Sequence, residues 1–406
     1  MSRKPRAIIT RLRASNFRSI EWIDLKLGPL NVLVGQNGVG KSNIIDALRF
    51  IRDCLTKGVD QALLDRGGMG AVQRFGSQSP DSDILLEVEC TFGRYEVLYG
   101  FTLAPNPRTE YKILEEHLQV RSTESGAVIG VLHLVNGQWI GDAISNELQL
   151  RSYPDTELHM LRTWWLYMGL LPADPEWAVR ATFGLVADMS FYNISPESLR
   201  TPQQIVSESP FDEKGRNLAA VLRSVKRGEG PELNDIEGAL ARLVDGLRSY
   251  DIHNVGSYLV TRLHYEFPDV TTAADQARVT RLASDLAQES DGTLRILSIL
   301  AALYQKPSRG LVVIEEPEIN IHPGALGVIA DLLQEARLRS QILVTTHNPD
   351  LIGQFMPDVL RVVEKSDGVT HVGPVAQDQQ EAIREMLFST AEIMKMEGLR
   401  REAAGV

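Results

Sequence analysis

Residues 35–42 read GQNGVGKS and match the phosphate-loop pattern G-x-x-x-x-G-K-[ST]. They follow the apolar stretch NVLV and precede an apolar helical pattern at residues 44–51, so the motif lies between a predicted strand and a predicted helix. Glycines allow such a loop to wrap closely around phosphates and to point backbone N–H groups at them. We therefore expect Lys41 to reach the β- and γ-phosphates of a nucleotide and the Ser42 hydroxyl to bind Mg²⁺.

The same stretch has two alternative interpretations. An accidental match in a glycine-rich turn is the structural alternative, and the strand–loop–helix context favours nucleotide binding over it. A dinucleotide site is not expected, because Gly38-Val39-Gly40 runs on into Lys41 and Ser42 and does not match the fingerprint G-x-G-x-x-G. The sequence therefore favours a nucleoside triphosphate over NAD.

Composition limits the class of protein. The chain has 406 residues, 43% hydrophobic and 23% charged, which is typical of globular domains and excludes collagen-like or wholly disordered chains. The longest apolar run, residues 296–304, is far shorter than the roughly 18 residues that span a bilayer, and the basic start lacks an apolar signal region. We therefore expect a cytoplasmic protein without a membrane contact. Its net charge of −11 disfavours nucleic-acid binding except at a local patch.

Hydrophobic periodicity predicts an α/β chain in three parts. Residues 1–154 carry short runs of alternating apolar residues, which indicates a β-rich lobe around the phosphate loop. Residues 155–255 carry apolar residues at spacings of three and four, as in residues 233–247, which indicates a helical insertion. That repeat covers only about two heptads, so no coiled-coil arm is expected. Residues 256–406 alternate strands and helices, as a mostly parallel sheet does.

Two carboxylates follow the apolar stretch LVVI in residues 311–323, which read LVVIEEPEINIHP. A buried strand there delivers Glu315 and Glu316 to its carboxyl end, where parallel sheets bind phosphates. Glu315 is expected to hold Mg²⁺ or its waters, and Glu316 to polarise the attacking water. The alternative makes both residues the solvated start of a loop.

Two further segments carry polar side chains at the ends of apolar elements. In QILVTTHNPDLI a buried strand ends at His347, which either lies near the γ-phosphate or is a structural hydrogen-bonding residue. In ESDGTLRILSILAAL the residues Ser290, Asp291 and Gly292 begin an apolar helix. They act either only as an N-cap or also as an anion site at the exposed helix end.

The four segments GQNGVGKS, ESDGTLR, LVVIEEPEINIHP and QILVTTH follow one another along the chain in this order. Together they resemble the ATP-binding-cassette (ABC) ATPases of the SMC/RecF/OLD-like branch, which are AAA-family ATPases with an AAA_21-type domain. The resemblance implies a P-loop NTPase head of the ABC type, with a β-rich N-terminal subdomain and a helical insertion. It identifies GQNGVGKS as the Walker A loop, ESDGTLR as the signature motif and LVVIEE as the Walker B strand. It also makes EINIHP the D-loop region and His347 the switch histidine, and it implies ATP and Mg²⁺ as ligands.

The resemblance also assigns residues to the nucleotide. Arg18, in the segment NFRS, approaches it, and Ser290 and Gly292 contact the γ-phosphate held by a second subunit, so that ATP lies between the heads of a homodimer. Glu315 stands where an aspartate is commoner, and Gln73 is the candidate for the Q-loop glutamine. The residues of the loop itself that are assigned to the nucleotide are Gly35, Asn37, Gly38, Gly40, Lys41, Ser42 and Asn43.

The segment after the switch histidine shows no pattern typical of a nuclease domain. VLRVVEK and VTHVGPV predict a pair of strands, and a charged helix follows from about Asp378. These 59 residues contain no D-x-D and are too few for a TOPRIM nuclease domain, so the chain is not expected to cleave DNA. One basic cluster, formed by Arg216, Arg223, Lys226 and Arg227, is either a weak nucleic-acid contact or ordinary surface.

These features predict an ATP-hydrolysing, dimerising switch. By resemblance it acts in DNA maintenance or in defence against mobile DNA, together with a separate effector protein. The alternative is an ATP-binding scaffold with low turnover that regulates a partner toxin or nuclease, although such a scaffold has no need of Glu316. The motor subunit of a membrane transporter is disfavoured, because EEPEINIHP and SDGT resemble the soluble branch.

Overall fold

The computed structural model describes residues 6–74, 83–136, 138–139, 173–205, 210–228, 230–268 and 279–402. These residues form an α/β protein, as predicted. The strands are β1 Ile8–Phe17, β2 Ile20–Lys26, β3 Leu30–Val34, β4 Ile84–Phe92, β5 Tyr95–Asn106, β6 Glu110–Ser122, β7 Val128–Val135, β8 Gln138–Trp139, β9 Ser190–Tyr192, β10 Gln203–Gln204, β11 Leu247–Val255, β12 Tyr258–Pro268, β13 Val279–Asp285, β14 Leu311–Glu315, β15 Gln341–Thr346, β16 Leu360–Ser366 and β17 Val369–Gly373.

The α-helices are α1 Lys41–Lys57, α2 Val59–Leu64, α3 Met69–Val72, α4 Ala173–Ala187, α5 Pro196–Arg200, α6 Leu218–Arg227, α7 Pro231–Leu243, α8 Asp291–Tyr304, α9 Leu326–Ala336, α10 Pro349–Ile352, α11 Gln377–Arg384 and α12 Thr390–Met396. Among the described residues, no helix is both long and apolar enough to span a bilayer.

The chain divides into two compact units. Unit 1 comprises Met1–Met189, Pro357–Leu387 and Glu397–Val406, and unit 2 comprises Ser190–Met356 and Phe388–Met396. The division predicted from sequence, at residues 154 and 255, remains a proposal about domains.

Unit 1 is built on an antiparallel sheet with the strand order β2-β1-β4-β5-β6-β7-β8. Helix α1 begins directly after the phosphate loop and is amphipathic, with Ile44, Leu48 and Ile51 among its buried residues. Strands β4 to β7 are antiparallel neighbours, which confirms the predicted hairpins. In the same unit β3 pairs in parallel with β16, and β16 pairs antiparallel with β17, which confirms the predicted strand pair near the end of the chain.

A carboxyl group is buried inside the unit 1 sheet. Glu116 on β6 is 5% exposed and accepts a hydrogen bond from the Tyr99 hydroxyl at 3.3 Å. Burial raises the pKa of the Glu116 carboxyl to about 8, and the bond from Tyr99 opposes that rise only in part. In the unfolded chain this carboxyl ionises near pH 4.3, so the unfolded state loses the proton first as pH rises. The contribution of Glu116 to stability therefore falls between about pH 4.3 and pH 8.

We expect Glu116→Gln to stabilise the protein at pH 8 by up to roughly 3 to 5 kcal/mol, because the amide is neutral at every pH. The gain should shrink toward pH 5, where the wild-type carboxyl is protonated in the folded chain. Urea-unfolding midpoints measured at pH 5 and pH 8 check this. Glu124→Gln, in the exposed turn after β6, is the control and should leave the pH dependence unchanged; equal midpoints for Glu116→Gln and wild type at pH 8 would contradict the prediction.

Unit 2 contains a parallel sheet in which β14 lies between β15 and β9. This confirms that the LVVIEE and QILVTT strands are neighbours. Helices α8 and α9 pack near these strands, and every residue of α8 from Thr293 to Tyr304 is buried. A second, antiparallel sheet pairs β12 with β10, β11 and β13.

The helical prediction for residues 155–255 is only partly correct. Residues 155–172, 206–209 and 229 lie outside the described residues, and the rest contains strands β9, β10 and β11 as well as helices. The predicted helix over residues 233–247 ends at Leu243, and Leu247 begins β11. Gly246 takes a positive φ of 73°, where the ring of Phe267 leaves no room for a Cβ, so this glycine turns the chain out of the helix.

The charged helix predicted from Asp378 is also not continuous. It is split into α11 and α12, with Met386 at a positive φ of 56° between them. The second helix has its own start signal, because the Glu392 carboxylate accepts hydrogen bonds from the Ser389 amide and hydroxyl at 2.7 and 2.8 Å. Mixed charges continue across the break, so composition alone does not locate it.

Candidate phosphate and water-activating site

The phosphate loop is held in shape by its glycines. Gly38 and Gly40 have φ values of 79° and 108°, a region that disfavours other residues. A Cβ at Gly40 would collide with Thr370, and one at Gly35 with the backbone of Val363. The space around the Cβ position of Gly38 is open, so the outer side of the loop is accessible.

Lys41 starts α1 and is 6% exposed. Its ammonium Nζ donates to the carbonyl oxygens of Gly35 and Gln36, at 2.6 and 3.0 Å, so the side chain lies against its own loop. Ser42, the next residue, is exposed. A buried cation, a helix N-terminus and an exposed serine beside a glycine loop fit a nucleoside triphosphate with Mg²⁺.

A chain of hydroxyl groups supports the loop from β17. The Thr370 hydroxyl donates to the Val39 carbonyl at 2.8 Å and lies 2.6 Å from Ser19 Oγ, which accepts from Asn43 Nδ2 at 2.5 Å. Because the single Thr370 proton goes to Val39, Ser19 must donate to Thr370. Sequence reasoning missed Thr370, since no local pattern links it to a loop more than 300 residues earlier.

Arg18 and Gln73 lie close together in unit 1. The Arg18 backbone has a φ of 52°, and its guanidinium Nε donates to Asp46 on α1 at 2.7 Å. Gln73 forms an isolated bridge with Phe17, next to Arg18. Arg18, which the resemblance assigns to the nucleotide, and Gln73, the candidate Q-loop glutamine, are therefore neighbours, and Arg18 forms an ion pair with the helix that follows the phosphate loop.

Glu316 and His347 meet at the carboxyl ends of β14 and β15 in unit 2. The distance from His347 Nδ1 to Glu316 Oε1 is 3.3 Å. Glu316 has a φ of 47°, and its amide donates to the Thr345 carbonyl at 3.0 Å. Glu315 is the last residue of β14 and is half-buried. The structure thus brings Glu316, the predicted water-polarising carboxylate, and His347, the predicted switch histidine, into contact.

A third carboxylate, which sequence reasoning missed, lies behind this pair. Glu318 is 7% exposed, accepts a hydrogen bond from the Thr346 hydroxyl at 2.6 Å, and has Oε1 3.9 Å from His347 Nδ1. The motif EEPE places it two residues after Glu316, and this spacing was the available signal. Glu318 and Glu316 approach the same imidazole nitrogen and limit where the ring can lie.

The start of α8 confirms the predicted N-cap. Ser290 is exposed, and its hydroxyl accepts from the Thr293 amide at 3.1 Å. A Cβ at Gly292 would lie 2.6 Å from the Asn320 carbonyl, so only glycine allows this close approach to the D-loop region. The Asp291 carboxylate accepts from Arg200 at 2.6 Å, an ion pair that sequence reasoning missed because it joins distant segments.

The basic cluster formed by Arg216 and three residues of α6 is partly neutralised. Arg216 pairs with Asp212 at 2.8 Å, and Lys226 pairs with Asp251 at 2.5 Å. Arg223 donates to the side chain of Asn254 at 3.3 Å. Aspartates beside two of the four cations lower the local positive charge, which weakens the argument for a nucleic-acid contact there.

The two units hold different parts of the predicted site. The phosphate loop, Arg18 and Gln73 belong to unit 1, whereas Glu315, Glu316, His347, Ser290 and Gly292 belong to unit 2.

Comparison with known proteins gives one family and several relatives. The AAA_21 family, described as "AAA domain, putative AbiEii toxin, Type IV TA system", matches residues 30–139 and 172–353. The chain is 23% identical over 385 residues to the OLD nuclease of Thermus scotoductus, covering 93% of this chain and 66% of that protein. It is 32% identical over 115 residues to the DNA replication and repair protein RecF of Porphyromonas gingivalis, covering 27% of this chain and 30% of RecF. The chain therefore spans less than two thirds of the length of these curated relatives.

Among solved structures, an Smc head domain derived from Pyrococcus furiosus, bound to the C-terminal domain of ScpA, aligns with a TM-score of 0.47 and 14% identity. The alignment covers 94% of this chain and 99% of that one.

Proposed function

The chain belongs to the AAA_21 family, within the SMC/RecF/OLD-like ABC-type ATPases, and on that premise we propose that it binds and hydrolyses ATP as a dimerising switch. The observation that carries the proposal is the Glu316–His347 pair at the carboxyl ends of two parallel strands, 3.3 Å apart. A carboxylate and an imidazole in contact are suited to polarise a water and to sense a phosphate.

The phosphate loop supplies the binding half of the proposal. Lys41 would neutralise the β- and γ-phosphates, and the amides of residues 35–43 would donate to them, with Arg18 approaching from the side. Ser42 and Glu315 would hold Mg²⁺, which when bound withdraws charge from the phosphates. Gly35, Asn37, Gly38, Gly40 and Asn43 would shape this cradle.

The hydrolytic half rests on unit 2. Glu316 would accept a hydrogen bond from the attacking water and orient this water, and His347 would contact the γ-phosphate. Thr345 holds the Glu316 backbone from β15, which keeps the carboxylate in place.

Homodimerisation is proposed to complete each site. Ser290 is exposed at the start of α8, where the helix dipole favours an anion, and Gly292 lets this helix start lie close to the D-loop region. Both residues would face the γ-phosphate held by a second copy of the chain.

We propose a biological role in DNA maintenance or defence against mobile DNA, acting with a separate effector protein. Support comes from the relatives, one named a nuclease and others named for DNA replication and repair, and from the toxin–antitoxin description of the family. The alternative is a scaffold for a partner toxin or nuclease. Such a scaffold would bind ATP in the same way but would hydrolyse it with little turnover.

A phosphate-release assay on the purified chain separates enzyme from scaffold. We expect release that requires Mg²⁺ and stops when EDTA removes the metal. The assay should be run across the dimerisation range of protein concentration, with rates rising more than linearly. Tight ATP binding without phosphate release at any concentration would support the scaffold.

We expect Ser290→Arg to abolish ATP-dependent dimerisation while leaving single-site ATP binding intact, because the residue would complete the partner's site. Light scattering with and without ATP measures this. Ser290→Ala isolates the loss of the N-cap, which costs about 1 kcal/mol, and Ser257→Arg places the same charge on a distant exposed turn. Normal dimerisation by Ser290→Arg would contradict the prediction.

Mixing Ser290→Arg with Lys41→Ala gives a stricter test. Their heterodimer would contain one site with both defects and one intact site. Partial ATPase activity should therefore reappear in the mixture, although each variant alone is inactive.

A further inference from the structure

Arg295 is a buried cation of α8 to which the proposed function gives no role. It lies five residues after Ser290 and is 5% exposed. Burial lowers the pKa of its guanidinium, and the carboxylates of Glu318, Glu316 and Glu315 oppose that effect. Burying a cation costs free energy unless its donors are well satisfied, so the partners of Arg295 need an explanation.

Those partners are backbone carbonyls at the site. The guanidinium Nη2 donates to the carbonyls of Glu315 and Glu316 at 2.6 and 2.8 Å, and Nη1 donates to the carbonyl of Ile194 at 2.6 Å. Arginine can donate to several carbonyls at once because its planar guanidinium presents several N–H donors in fixed directions. The ammonium group of lysine has no such fixed arrangement of donors. Arg295 is thus hydrogen-bonded to the backbone at the end of β14.

Glu316, whose carbonyl accepts from Arg295, has an unfavourable backbone conformation. Glu316 has a φ of 47°, a left-handed conformation that is costly for a residue with a side chain. Its amide is held from β15 by the Thr345 carbonyl at 3.0 Å, and its carbonyl is held from α8 by Arg295. Two elements therefore fix the peptide units that aim the Glu316 carboxylate at His347.

We propose that Arg295 is a positioning residue that couples the start of α8 to Glu316. The proposal rests on the proposed ATPase function of this site. When Ser290 and Gly292 engage a nucleotide held by a second copy of the chain, a shift of α8 moves the guanidinium and, through two carbonyls, the carboxylate that orients water. One chain's signature helix thereby sets the hydrolytic rate of its own Walker B glutamate.

The test compares Arg295→Met, which keeps the aliphatic stem and removes every donor, with Arg295→Lys, which restores one charged donor group. We expect Arg295→Met to lower kcat about 10- to 100-fold with KM for ATP within twofold of wild type, because the carboxylate is misplaced while the phosphate loop is untouched. Arg295→Lys should recover part of kcat. Ser298→Ala, which removes a buried hydroxyl one turn along the same helix, should behave as wild type.

A double-mutant cycle identifies the route of the effect. If Arg295 acts through Glu316, Arg295→Met should lower kcat little further in a Glu316→Gln background. Full additivity of the two losses would overturn the proposal, as would a rise in KM that accounts for the whole loss.

Amide hydrogen exchange keeps the test independent of turnover. The Glu316 amide should exchange at least tenfold faster in Arg295→Met and at an intermediate rate in Arg295→Lys, since one side of its support is gone. If wild type releases no phosphate, the proposed function fails, and exchange alone decides the role of Arg295. Unchanged exchange at Glu316 would overturn the coupling.

Discussion

Lys41→Ala should abolish tight ATP binding, with a loss of affinity on the order of 10³-fold. A unit charge about 4 Å from an opposite charge near a protein surface is worth about 4 kcal/mol, and Lys41 would face several phosphate charges from a largely buried position. The substitution also removes the two hydrogen bonds that Lys41 Nζ makes to the loop. Titration with a fluorescent ATP analogue measures the change.

Lys57→Ala is the matched control, because it removes a lysine from the opposite end of α1, where Lys57 pairs with Asp65 at 2.9 Å. It should bind the analogue as wild type does. Equal affinities for wild type and Lys41→Ala would reject the assignment of residues 35–42 to phosphate binding.

Glu316→Gln should slow ATP hydrolysis by roughly 10² to 10⁴ while preserving ATP binding. The amide keeps the shape of the side chain and its position beside His347, but it cannot accept a proton from water or polarise it as a carboxylate does. Because binding continues and turnover stops, the ATP-bound dimer should accumulate. Single-turnover phosphate release together with light scattering would measure both effects.

Glu335→Gln, an exposed glutamate on α9, controls for the loss of one negative charge from unit 2 and should be neutral. If Glu316→Gln turns over as fast as wild type, the general base lies elsewhere, and Glu315 and His347 are the next residues to substitute.

Sequence reasoning succeeded where the signal is local. The phosphate loop, the strand before Glu315 and the strand before His347 are each set by a few consecutive residues, because buried parallel strands read as short apolar runs between turns. The neighbouring positions of the two strands in unit 2 followed from the β-α-β rhythm.

It failed where the partners are far apart in the chain. Thr370 reaches Val39, Arg200 reaches Asp291 and Arg295 reaches Glu316, and in each case the residue has an ordinary local explanation. Arg295 reads as one more residue of an apolar helix. Its function as a donor depends on where the carbonyl of Glu316 lies, and tertiary packing alone determines that position.

The hydroxyl chain from Thr370 to the phosphate loop has a consequence for biosynthesis. Val39 emerges from the ribosome early, and Thr370 emerges 331 residues later. At about 5 to 20 residues per second, the loop waits at least roughly a quarter of a minute for the threonine that braces it. Strand β16, which pairs with β3, is equally late. An unfinished polypeptide therefore carries the Walker A sequence without Thr370 and without β16, and the loop gains both supports only once synthesis has passed β17.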